Sequence, residues 1–181
     1  MTELLANLAA REQTLYSYTI SLVGTLESKN KQLEEAGIFA AYDELYAEYL
    51  AACQRAVEEP LKLELLKRLT FLSWYSLLEP SFLTGIGALS VDGIFTTYGL
   101  LDAHLREHQP DNELRWMLSF YSSWDYILLH FSEPRLPTLT AFVKAVDSTV
   151  YHVPERQLPQ HAMDNRGQMG IYWQSMRVEV E

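Results

Sequence analysis

The chain has 181 residues, 24 acidic against 14 basic side chains, a net charge of −10 and 48% apolar residues. That balance excludes the phosphate-neutralising surface that nucleic-acid binding needs, and the basic patch that docks proteins on anionic membranes. A single cysteine, Cys53, excludes an intrachain disulfide, and the length suits one domain that buries its core without staples.

The opening MTELLANLAAREQ has neither a basic n-region nor a long apolar run, so no signal peptide is expected and the cytoplasm is the expected compartment. A first helix is predicted from Glu3 to Ser28. Leu8, Leu15 and Leu22 recur every heptad, and Leu4, Leu5, Val23 and Leu26 widen the stripe. Lys29 and Lys31 give it a basic exit, as the helix dipole favours. A second helix is predicted from Ile38 to Glu58 on the spacing of Ile38, Tyr42, Leu45, Tyr46, Tyr49, Leu50, Cys53 and Val57, with Gly37 as a weak point before it. Cys53 falls on the apolar stripe and reads as a buried, inert thiol.

Pro60 suits the first turn of a third helix, Leu61 to Leu78. Lys62, Glu64, Lys67 and Arg68 make its start amphipathic, whereas its end, LTFLSWYSLL, is apolar all round and therefore buried on several sides. The nearly uncharged stretch from Leu69 to Leu89 is interrupted by Glu79-Pro80 and followed by Gly85 and Gly87, which favours two short elements over a membrane span. Ser90 is an N-cap for a fourth helix, with Asp92 in its first turn and a stripe of Val91, Ile94, Phe95, Tyr98, Leu101 and Leu105. Pro110-Asp111 opens a fifth helix running to about Phe131, and a short sixth spans Pro137 to Val146. The third and fifth share a faint echo, Ser73-Trp74 with Ser123-Trp124 and Glu79-Pro80 with Glu133-Pro134. Two central helices that both need aromatics and both end at proline give the same echo without a repeat.

The fold expected is all-α. It is a five- or six-helix bundle or short paired-helix array over residues 1–146, with an irregular C-terminal tail, residues 147–181, packed on the same domain. The tail lacks a core-forming stripe but carries Tyr151, His152, Arg156, His161, Met163, Arg166, Met169, Tyr172, Trp173, Met176 and Arg177. Those residue types grip partner surfaces, and they equally let a tail lie down on its own domain. Asp164-Asn165-Arg166-Gly167 reads as a tight turn, which favours a lid packed on its own helices over a free hook.

The sharpest motif is His104-Leu105-Arg106-Glu107-His108, which matches the inverted zinc-protease pattern. On a helix its two histidines share a face, and Glu107 would act on a metal-bound water. The plain alternative is two surface histidines whose charge suits a helix C-terminus. Asp125, predicted among apolar neighbours, must be paired, bonded or protonated, as a general acid or base or as a structural acceptor. Glu79 and Glu133 each precede a proline at a predicted helix end, where Arg166 or Arg177 would clamp one of them in bidentate fashion. The sequence has no glycine-rich phosphate loop, no Gly-x-Ser-x-Gly elbow and no local cysteine-nucleophile signature.

The functional expectation is a non-enzymatic, acidic helical protein without cofactor that binds another protein, a basic partner, in the manner of an inhibitor or immunity module. Tyr75, Glu79, Tyr98, Trp124, Asp125, Arg166, Tyr172 and Trp173 are the candidate binding residues, and His104 with His108 is the one candidate metal pair. The alternative is a small-molecule-binding or metal-dependent hydrolytic protein with a pocket between the central helices, lined by Tyr75, Tyr98, His104, Trp124 and Asp125. Homo-oligomerisation through the tail is a third option.

Overall fold

The structure is a computed structural model that describes residues 3–87, 89–147 and 161–176. Among these residues the protein is all-helical, with ten α-helices and no strand. They are α1 (Glu3–Ser21), α2 (Leu26–Glu35), α3 (Ile38–Arg55), α4 (Glu59–Leu78), α5 (Ser81–Thr84), α6 (Val91–Glu107), α7 (Asn112–Tyr121), α8 (Asp125–Ser132), α9 (Pro137–Ala145) and α10 (Gly167–Ser175). None is long and apolar enough to cross a membrane.

The core is organised around α4, which packs against α3, α5, α6, α8 and α10. Its stretch from Leu65 to Trp74 is buried without interruption, as an all-round apolar helix end requires. The buried run nevertheless includes Lys67 and Arg68, which must find partners inside.

Three helix boundaries differ from the pattern in the sequence, each for a local reason. The predicted first helix divides: Gly24 adopts φ 129°, and Thr25 starts α2 by accepting the Ser28 N–H at 3.3 Å. Leu5, Leu8 and Leu22 are buried, but Val23 is 83% exposed, so the heptad stripe runs out at the break. The second helix stops a turn early, leaving Val57 90% exposed in an extended link to α4. The predicted fifth helix becomes α7 and α8 joined by a 3-10 turn at Ser122–Trp124. Trp74 therefore lies within a continuous helix and Trp124 ends a turn, so the two Ser-Trp pairs occupy different settings.

The C-terminal segment corrects the expectation of an irregular tail. After a turn in which Asn165 takes φ 58° and Gly167 φ 60°, residues 167–175 form α10. A Cβ at Gly167 would run into the Glu12 carboxylate, and one at Gly170 into the Met163 carbonyl. The glycines that make the segment look loop-like are what allow the helix to seat this closely. Met163, Met169 and Trp173 are buried in the core cluster. Tyr151, His152, Arg156 and Arg177 lie outside the described residues.

Candidate functional site

The polar interior is built from residues that the linear sequence scatters. Arg166 forks onto two carboxylates from different helices. Its Nε donates to Glu64 at 2.9 Å and a terminal nitrogen reaches the other Glu64 oxygen. It also donates to both Glu113 oxygens, at 2.9 and 2.7 Å. Lys67 joins Glu113 at 2.9 Å and Asp111 at 2.6 Å, and Arg68 joins Glu64 at 2.8 Å. Burial by itself would raise the Glu113 carboxyl, but the hydrogen bonds from Arg166 and Lys67 hold it below the usual carboxylate range. These groups line a cavity of about 350 Å³ together with Leu5, Ala162 and Asp164.

The lattice continues through Tyr49, which accepts from Arg68 at 3.4 Å and donates to Glu12 at 2.9 Å. Glu12, fully enclosed on α1, also accepts the Gln168 backbone N–H at the start of α10. The Gln168 side chain in turn takes the Tyr42 hydroxyl proton at 3.2 Å and donates to the Thr84 carbonyl at 2.9 Å. Burial pushes the Glu12 carboxyl up to about 7, against the opposing pull of the Gln168 and Tyr49 bonds and the Arg68 charge. The chemistry is that of docking and register, a role that satisfied buried ion pairs perform at little net gain in stability.

The sequence-predicted residues therefore part company. The bidentate arginine is Arg166, but its partners are Glu64 and Glu113. Glu133 is exposed and pairs with Lys144, and Glu79 is the C-cap of α4. Tyr75, Trp124, Tyr172 and Trp173 do meet, yet as core. Tyr75 and Tyr172 rings lie 5.2 Å apart, Trp74 and Trp124 5.7 Å, and Trp116 and Trp173 4.3 Å. Trp173 is 0% exposed, so it is no anchor for a partner. Tyr98 is fully buried elsewhere, against Phe131 at 5.7 Å. Asp125 is exposed in the first turn of α8, which removes the premise of a carboxylate in apolar surroundings. None of the cavities described among these residues is lined by Tyr75, Tyr98, His104, Trp124 or Asp125. Cys53 is buried, with its thiol pushed up to about 11 by that burial, as an inert core thiol should be.

Two surface features remain with chemistry to offer. The first lies where α4 begins and α6 ends. His104 sits in the last turn of α6 and His108 is its extended C-cap. Glu59, the first residue of α4, comes beside them, and one ligand atom from each lies within 4.8 Å of the others. Glu107, the partner the motif suggests, is instead exposed and paired with Arg106 at 3.3 Å. Burial, and next the neighbouring His108, lower the His104 pKa.

The second is electrostatic. Between residues 34 and 59 the chain carries Glu34, Glu35, Asp43, Glu44, Glu48, Glu58 and Glu59 against one base, Arg55. All seven carboxylates are exposed on α2, α3 and the link to α4. Arg11 neutralises Glu48 and Lys31 approaches Glu35 at 3.7 Å. No single residue type signals this face in the sequence; it emerges from the charge count over a window and from α2 lying beside α3.

No family model matches the chain, and neither a curated protein nor a solved structure was found to match it.

Proposed function

We propose that the protein is a non-enzymatic binding module of the cytosol whose docking face is the acidic surface of α2 and α3, and that its partner is a basic protein. One observation carries the reading: seven exposed carboxylates against a single arginine between residues 34 and 59. Like charges so arranged repel one another, and a cationic surface placed opposite relieves that repulsion and is steered toward it. Val57, exposed beside Glu58 and Glu59, adds an apolar contact at the edge of the same face. Trp173 takes no part, since α10 buries it in the protein's own core, with Tyr172 packed against the same core. The alternative of a ligand pocket between the central helices loses support because Trp74, Tyr121, Trp124 and Trp173 fill that space ring against ring.

Capture from a native lysate at low salt, followed by kinetics with the recovered partner, tests the reading. Reversing Glu34, Glu44 and Glu58 to lysine together should slow association about tenfold or more, and raised salt should do the same to the unaltered protein. Association indifferent to both would overturn the acidic face as the docking surface.

A further inference from the structure

We propose that Glu59, His104 and His108 form a binding site for a divalent transition-metal ion of the zinc class, at the edge of the acidic surface, with Glu59 common to both. The three donors come from two helices that pack on each other, α4 and α6. Their ligand atoms already lie within 4.8 Å of one another. Tetrahedral coordination at about 2.0–2.1 Å requires donor separations of roughly 3.3 Å. Glu59 and His108 are exposed, so side-chain rotation suffices to close the gap while the backbone stays as it is.

A second observation points the same way. The Nε2 of His104 is buried and has no hydrogen-bond partner among the described residues. Buried polar atoms are rarely left so, and a ring nitrogen with no hydrogen-bond partner, on a histidine that clusters with a carboxylate and a second imidazole, suits a metal ligand. Two imidazoles and one carboxylate select zinc, cobalt, nickel or copper over magnesium and calcium, which demand oxygen donors. The ligand set leaves a fourth position for water. The charged groups felt by His104 are Glu59 and Lys62 from α4, His108 from its own helix end and Asp111 from the start of α7. The carboxylates Glu59 and Asp111 favour a cation there, and Lys62 opposes it.

The test uses the full, untagged chain stripped with chelator and titrated calorimetrically with zinc chloride at pH 7.5. The expected result is one ion per chain and a Tm rise of about 5–10 °C at a hundredfold excess over Kd. His108→Ala, at an exposed position outside the core, should weaken zinc by more than the roughly 10–100-fold that loss of an outer-shell partner brings. Glu59→Gln should weaken it less, and His130→Ala on α8 should leave it unchanged. Absence of stoichiometric zinc binding overturns the proposal, and so does binding that survives His108→Ala and His104→Gln at full strength.

Discussion

α9 and α10 are nine-residue helices, and in neither does the N-cap side chain accept a backbone N–H. Each is capped instead by a buried carboxylate from a distant helix. Asp102 of α6 accepts the Thr138 and Leu139 N–H groups at 2.8 and 2.9 Å, and Glu12 of α1 accepts that of Gln168. The helix dipole makes both arrangements favourable. Their surroundings differ. Asp102, itself buried, has the exposed Arg106 at 3.6 Å, whereas Glu12 is sealed by Gly167, Tyr49 and Gln168. One acceptor type thus yields an ordinary helix start in the first case and a proton-sensitive joint in the second. Beyond its cap, α9 buries Leu139 and Val143 and makes polar contacts with the end of α8, Thr140 to Ser132 at 3.0 Å and Lys144 to Glu133, while α10 is tied to the Arg166 lattice.

That contrast breaks most visibly at Arg166. Arg166→Met leaves Glu113 to Lys67 and Glu64 to Arg68, and we expect about 2–4 kcal/mol lower stability in urea titrations. Hydrogen exchange should show α10 amides losing protection before those of α9; equal losses would mean the two helices unfold as one unit.

Glu12 sharpens the difference through pH. Its folded pKa of about 7 lies above its ordinary 4.5, so the native state holds a proton that the unfolded chain releases in between. The resulting stabilisation is complete below about pH 4.5 and disappears as the pH rises through 7. Stability should therefore fall by about 2–3 kcal/mol between pH 5 and 8. Glu12→Gln should be flat over that window, and parallel profiles for the two proteins would contradict a shifted Glu12.

Asp102→Ala should cost about 1–3 kcal/mol by leaving two N–H groups unpaired, with exchange quickening in α9 while α10 stays protected. The smallest effect belongs to Arg11→Ala, which removes an exposed pair with Glu48. It should change stability by at most about 1 kcal/mol and leave both helices' exchange unaltered.

The same pair of helices shows what a sequence exposes to reading. α9 is legible because Pro137, Leu139 and Val143 act within nine residues, although its acceptor, Asp102, is not. α10 is illegible by the same rules. Gly167 and Gly170 depress helix propensity, the Glu12 carboxylate that requires the first lies at the other end of the chain, and the partners of the adjoining Arg166 lie more than fifty positions away at Glu64 and Glu113. Arg166 reads as one half of a bidentate clamp from its chemistry alone, but tertiary packing chooses its partners, and it brings Glu64 and Glu113 to the guanidinium in place of Glu79 and Glu133. In the same way the histidine pair is visible in the sequence, while Glu59 joins it only because α4 starts where α6 ends.

The Gln168–Glu12 bond spans 156 positions of the chain. At a synthesis rate of about 5–20 residues per second, Glu12 leaves the ribosome roughly 8–30 s before its partner exists. Throughout that interval the groove of Trp74, Phe120 and Tyr121 that Trp173 later closes stands open to other chains.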